Sequence, residues 1–523
     1  MTLVEDIAGW AFGLRSADVP DDVVALCRAQ RAAVLGGVAA SAADGASRRV
    51  LDAVSAWAGP GPAPLLGTDQ SVAVEDAVYA AAALSVALDF DDYVSFGHTG
   101  HSAVLVPALL AAETGSSGEQ QLLAQIVANE VEARLGGACL IGPLNGQLWS
   151  FIHSAGSALA AGLLLGLTRE QLSHALALSL YQAPRPTVPG FMAPDSKLLT
   201  ASEPAVMGLR AARLAAAGVT GPLDALDHPQ GFLGAFSYAP LRRLLGGLGE
   251  GWATKTLCVK PYPGCAYVDT TLDALLSLEV GSAHEVDRVV VDASMLTCEM
   301  DKWSAEYAGR DVTPVTINFS IRWNVAIALL AGEVTPRQLS AEWLAGHRDE
   351  LAGLAERVEL RHDWELTRSS AEAFGGLLPP RALAGAAGMR QLRRGLTRVR
   401  GDHPSIVDGL AGLRGVGVML RGGRAGWAAV GGSRFWSPAA LDRFQMTFPA
   451  RVSVQLRGGR TLEARADVPR GGAGHAIEGP TAVADAKLSA WGPALWGDDG
   501  TKAVADAIAT DDDRLFSVLA GTP

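Results

Sequence analysis

Leu88-Asp-Phe-Asp-Asp92, then Gly97-His-Thr-Gly-His101, then the apolar run Val104 to Leu110: this stretch decides how the chain is read. Three carboxylates and two imidazoles fall between Asp89 and His101, with a hydrophobic helical pattern on each side. Charged groups beside buried helices are costly to desolvate, so they are kept there for chemistry or for an ion-pair network. The plainer alternative is a helix end with a solvated acidic turn and two loop histidines.

Outward from that stretch, residues 3 to 250 read as helix after helix. Val19-Pro-Asp-Asp-Val23 puts Pro and Asp at the start of a helix that continues through Val24 to Leu35. Helical patterns follow at Asp69 to Asp89, His101 to Glu113, Gly118 to Gly136, Phe151 to Leu167 and Arg169 to Tyr181. The small residues from Gly156 to Gly162 allow close helix–helix approach and read as core packing. Lys197 to Gly218 forms another helix, capped at Gly218-Val-Thr-Gly221.

The texture changes near Lys255. Glu285 to Asp292 and Arg357 to Asp363 read as strands, and Ala450 to Ala466 as a hairpin turning at Gly458-Gly459. Thr313 to Gly332 reads as a helix between them, and Lys502 to Leu519 as a closing amphipathic helix. The expected fold is therefore mainly α with a second α+β domain. The helical domain spans 1–258 and is completed by 480–523. The α+β domain spans 259–479, with an atypical Gly/Arg/Ala-rich insertion at about 368–447, read as an exposed lobe.

Composition narrows the function. The 523 residues are 49% hydrophobic with 60 Gly and a net charge of -12, which fits a packed, enzyme-sized globular protein of two or more domains. No basic stripe or Lys/Arg run points to nucleic acid or an acidic membrane. Five widely spaced cysteines without a C-x-x-C pair suggest neither a disulfide framework nor a zinc ribbon. A reduced, cytoplasmic setting is expected. The N-terminal stretch has no basic n-region, and the apolar stretch Ala155 to Leu167 is too short to span a bilayer.

Four further clusters can carry chemistry. His153 lies in Phe151-Ile-His153-Ser-Ala-Gly156 at the start of a small-residue helix, where anions bind readily, although a capping or core histidine is the plainer reading. Lys197 opens a helix, where a lone lysine is usually solvated, although its opposition to the helix dipole adds weight to a ligand-binding placement. Lys260-Pro-Tyr-Pro-Gly-Cys265 fixes a lysine beside a rigid turn. Asn318-Phe-Ser-Ile-Arg-Trp323 puts Arg322 and Trp323 before an apolar helix.

Taken in order, these blocks resemble the MmgE/PrpD family, which includes 2-methylcitrate dehydratases and cis-aconitate decarboxylases. The resemblance runs from the first helix to Thr367 and again from Phe448. It implies a large helical domain and a smaller lid-like α+β domain, an active site in the cleft between them, and a homodimer. It implies catalytic roles for Asp89, His153, Lys197, Lys260 and His101, with His98 the alternative to His101. Tyr93, His98, Cys265, Arg322 and Trp323 are the expected substrate-binding residues. No metal and no organic cofactor is implied. The chain departs from the family pattern where Cys265, Asp269 and Thr200 stand for histidines and Trp323 for a tyrosine.

The expected function is a cofactor-independent lyase, a dehydratase or decarboxylase, acting on a small polycarboxylate or related β-substituted acid. A base removes the proton α to a carboxylate and an acid protonates the leaving group. Lysines stabilise the resulting anion. His101 and His153 supply base and acid, and Asp89 orients an imidazole. Three alternatives stay open: an isomerase or epimerase using the same groups, a metal-dependent hydrolase built on Asp89, Asp91, Asp92, His98 and His101, and a non-catalytic binding protein.

Overall fold

The computed structural model describes residues 1–143, 149–192, 195–308, 311–378, 389–402 and 435–520. A large helical part and a smaller α+β part account for them, as the sequence led us to expect. Helix starts carry the chemistry that stabilises them. Thr2 with Glu5, Ser117 with Gln120 and Thr168 with Gln171 form reciprocal capping boxes.

Ser150–Leu164 is the helical part's central rod, packed against Gly118–Ala138, Arg169–Tyr181 and Ser202–Ala216. The small-residue stripe makes this possible. A methyl on Gly208 would run into the backbone carbonyl of Ser154, and one on Gly156 into the carboxylate of Glu132. The C-terminal helices Pro480–Trp491 and Pro493–Thr510 return to pack on Asp21–Ser41. Asp21–Ser41 is apolar and long enough to cross a membrane, a feature the sequence reading passed over, but 72% of its apolar window is buried against these neighbours.

In the α+β part, Val358–His362, Val286–Ala293, Ala450–Leu456 and Thr461–Ala466 form one sheet in that order. The first pair is parallel and the other two are antiparallel. Alternate burial along Ala450–Leu456 seats Val452 and Val454 in the core. Between the parallel strands run Met295–Ala305, Ile321–Ala331 and Arg348–Ala355.

Thr313 to Gly332 is not one helix but two, Pro314–Ile317 and Ile321–Ala331. Lys197 belongs to the 3-10 turn Asp195–Thr200 that precedes Ser202–Ala216. Of the segment read as an exposed insertion, the first part continues the helix Trp364–Gly375. Its last part buries Phe435, Trp436, Leu441, Phe444 and Met446. Residues 379–388 and 403–434 lie outside the described residues.

Candidate active site

The two parts are stitched together at the acidic stretch. The helix Val74–Val86 ends, and Asp89 takes a left-handed φ of 49°, which turns the chain. Asp92–Tyr93 then pairs antiparallel with Cys258–Val259. That short pairing extends as hydrogen bonds from the Lys260 and Gly264 N–H groups to the carbonyls of Asp91 and Asp89, at 3.1 and 3.3 Å. The acidic stretch and the Lys-Pro-Tyr-Pro turn therefore meet although nearly 170 residues separate them.

Asp91 is the hub. Its carboxylate lies 2.6 Å from Lys260 Nζ, 2.6 Å from His98 Nδ1 and 3.1 Å from His101 Nε2. Burial pushes this carboxyl up, but Lys260, His98 and the imidazole hydrogen bonds outweigh it and hold it well below the usual range. Lys260 Nζ also donates to the Asp89 carbonyl at 3.0 Å. Burial disfavours its charge, but Asp91 and Asp89 more than restore it, so this ammonium is raised above its ordinary value.

Asp89 does not orient an imidazole. Its carboxylate accepts from Lys197 Nζ at 2.6 Å and from the Asn318 amide. The Lys197 ammonium lies against the rings of Phe191 and Phe319, at 5.4 and 4.8 Å from their centroids. Burial acts to raise the Asp89 carboxyl, but Lys197 and Lys260 prevail and lower it. Lys197 is thus a buried partner of Asp89, and Thr200, a turn further on, lines the cavity instead.

The histidines differ in what remains open. His101 uses both ring nitrogens, with Nδ1 2.7 Å from Ser85 Oγ and Nε2 on Asp91. Ser85 donates to the Ala82 carbonyl, so its oxygen accepts from His101 Nδ1. His98 uses Nδ1 on Asp91 and leaves Nε2 without a hydrogen-bond partner among the described residues. Its ring stacks beside His101 and near Trp149. His153 Nδ1 lies 2.8 Å from Ser102 Oγ, which lies 2.7 Å from Glu132 Oε1. Burial, then the neighbouring His101 and His98, push His153 well below the usual imidazole value. Burial, with a smaller push from the Asp92 charge, raises the Glu132 carboxyl well above its ordinary range although the Ser102 hydrogen bond opposes it.

These groups floor a cavity of about 350 Å³. Asp89, Tyr93, His98, His101, His153, Lys260 and Cys265 all line it. Two expected binding residues do not. Arg322 points to solvent, and Trp323 packs into the hydrophobic core. Successive helical residues diverge by about 100°, so Ile321–Ala331 cannot turn both toward the cleft. In that block the site uses Asn318. Cys265, pushed up to about 12 by burial, stays a thiol, and the buried Asp269 is likewise driven well above the carboxylate range by burial. Asp92 serves the scaffold, bonded to Gln30 at 2.7 Å.

Sequence reading missed Ser85, Ser102 and Glu132. Ser102 carried a signal, lying next to His101, whereas Glu132 is marked only as a carboxylate inside an apolar helical pattern. Asp91, His98 and His101 put potential donor atoms within 4.8 Å of one another. The Lys260 ammonium already on Asp91 opposes a divalent cation there.

The pattern described as the MmgE/PrpD N-terminal domain matches residues 5–243, and that of the MmgE/PrpD C-terminal domain matches 262–378. A cis-aconitate decarboxylase of Aspergillus terreus (strain NIH 2624 / FGSC A1156) is 26% identical over 393 residues, covering 69% of this chain and 78% of that protein. Another from Aspergillus terreus is 28% identical over 389 residues, covering 68% and 77%. With the two domain patterns matched in order and their shared cleft carrying the charged cluster, this chain belongs to the MmgE/PrpD family.

Proposed function

We propose that the protein is a cofactor-independent lyase: either a dehydratase that removes a proton α to a substrate carboxylate and expels a β-substituent, or a decarboxylase that expels carbon dioxide and returns a proton to the carbanion left behind. The observation that carries this reading is the sharing of Asp91 by Lys260, His98 and His101 at the cavity floor. A fixed cation beside an open imidazole nitrogen is what abstraction of a weakly acidic α-proton needs. The relatives named as cis-aconitate decarboxylases support a lyase acting on a carboxylic acid.

In this reading His98, with Nδ1–H on Asp91 and Nε2 open, is the base, and Lys260 stabilises the charge that develops on the carboxylate. His153 is the acid. Ser102 donates to Glu132 and accepts from His153 Nδ1–H, which leaves His153 Nε2 facing the cavity to take up a proton and deliver it to the leaving group. His101, with both nitrogens engaged, positions Asp91. Asp89 and Lys197 hold the turn that presents Lys260. The homodimer belongs to the same proposal, and sedimentation of the purified chain tests it.

The deciding experiment is proton NMR in D2O with citrate, 2-methylcitrate, cis-aconitate, malate-type and amino-diacid substrates. New vinyl signals or loss of a carboxylate establish the lyase. Deuterium at Cα without elimination establishes the isomerase or epimerase, which the two open ring nitrogens also serve. Activity that follows bound metal and disappears on chelation would replace both with the metal-dependent hydrolase.

A further inference from the structure

The charged side chains of the cavity are tied to one another through Asp91 and Asp89, so they occupy one end. Much of the rest of the wall is of another kind: Val86, Val94, Phe96, Leu140, Trp149 and Phe191 of the helical part are joined there by apolar residues of the α+β part. Met295, Met300, Phe374, Leu378, Met446 and Phe448 face the same space. The Phe448 ring meets Tyr267 edge-on at 4.7 Å and Phe374 at 5.8 Å, an open aromatic cluster of the type that receives a further ring. Methionine side chains adapt to an irregular or aromatic guest.

The serine and threonine hydroxyls that the α+β part brings to this wall are already used. Ser294 caps its own helix, Thr367 accepts from the Met295 N–H at 2.9 Å, and Ser370 donates to the Leu366 carbonyl. A second carboxylate placed here would lose its hydration against thioethers and rings, which is strongly unfavourable. There is ample room for an apolar guest. A cavity of about 150 Å³ holds a benzene-sized molecule, and this one measures about 350 Å³.

We infer that the substrate is an acid with one reacting carboxylate and a large apolar body, aromatic or branched, seated against the Met295–Phe448 wall. This rests on the carboxylate-lyase reading for the reacting end only. The apolar body follows from the wall itself.

Direct titration calorimetry of the intact protein tests the inference without needing turnover, using three probes. 3-Hydroxy-3-phenylpropanoate carries the apolar body, 3-hydroxybutanoate has the same head without it, and 2-methylcitrate carries extra carboxylates. The phenyl acid is expected to bind roughly 10- to 100-fold more tightly than 3-hydroxybutanoate, the gain from burying one aromatic side chain's worth of surface. It should also outbind 2-methylcitrate. Met300→Gln, nearly equal in volume, should erase about tenfold of the phenyl acid's affinity and leave 3-hydroxybutanoate unchanged.

Tighter binding of 2-methylcitrate, equal binding of the two monoacids, or binding of none of the probes overturns the inference. If the phenyl acid binds as expected but shows no α-deuteration in D2O under the same conditions, the inference stands and the lyase reading falls.

Discussion

Lys197 reaches Asp89 across 108 residues of sequence and holds its carboxylate at 2.6 Å, while Phe191 and Phe319 lie against the same ammonium. The pair fixes a residue whose backbone is already left-handed. Removing one member therefore strands a buried charge. Lys197→Met is expected to destabilise the fold by about 3–5 kcal/mol in guanidinium unfolding. Asp89→Asn combined with Lys197→Met should recover most of that. An unchanged midpoint for the single variant would show that the pair is not structural.

The Glu132–Ser102–His153 chain predicts a pH signature. The His153 value is lowered on folding from 6.5. Its contribution to stability is thus present above pH 6.5 and is lost as the pH falls below that, because the unfolded chain takes up the proton first. Glu132 has the opposite sign. Its value is raised from 4.5, so stability is lost as the pH rises from 4.5 through the folded value. Thermal unfolding across pH should show Glu132→Gln abolishing the second loss and leaving the first.

The same chain predicts kinetics. Replacing a residue that transfers a proton in the transition state costs typically 10²–10⁴-fold. His153→Ala and His98→Ala should both fall in that range in kcat/KM on whichever acid is turned over. Glu132→Gln should lose less, because Ser102 can still donate to the glutamine amide oxygen and hold His153 in place. Undiminished turnover by either histidine variant would remove that residue from the mechanism.

Lys487, on the C-terminal helix Pro480–Trp491, donates to the Phe90 and Asp91 carbonyls at 3.1 and 3.4 Å from behind the site. Burial lowers it from 10.5 to about 7, partly offset by Asp91. A base lowered on folding contributes stability that is present above its unfolded value. That stability is lost as the pH falls toward the folded one. Wild type should lose stability between pH 10.5 and about 7, and Lys487→Met should flatten that window. Parallel unfolding curves for the two proteins across this range would count against it.

Gly156→Ala tests the packing beneath the Glu132–Ser102–His153 chain. Its methyl would occupy the place of the Glu132 carboxylate. Overpacking of this kind costs about 1–3 kcal/mol. Glu132 should be displaced from Ser102, so activity should fall toward that of Glu132→Gln. A crystal structure of the variant with Glu132 unmoved would show that the helices give way instead.

The sequence by itself determined the helices, the Gly458-Gly459 hairpin and the two-part architecture, because caps, apolar periodicity and turn glycines act within a few residues. The family resemblance carried by its blocks further implied that Asp89, His98, His101, His153, Lys197, Lys260 and Cys265 belong to one place. Pairing was decided only in three dimensions. Asp91 rather than Asp89 carries the imidazoles, because the left-handed turn at Asp89 and the Asp92–Tyr93 pairing set which carboxylate faces which element. Arg322 and Asn318 lie four residues apart, yet only Asn318 meets the site, because the break before Ile321–Ala331 aims them differently. Glu132 was invisible as a functional group because its partner Ser102 sits on another helix. A third helix, Ser150–Leu164, leaves room at Gly156 for the Glu132 carboxylate, and only that packing brings Glu132 to Ser102.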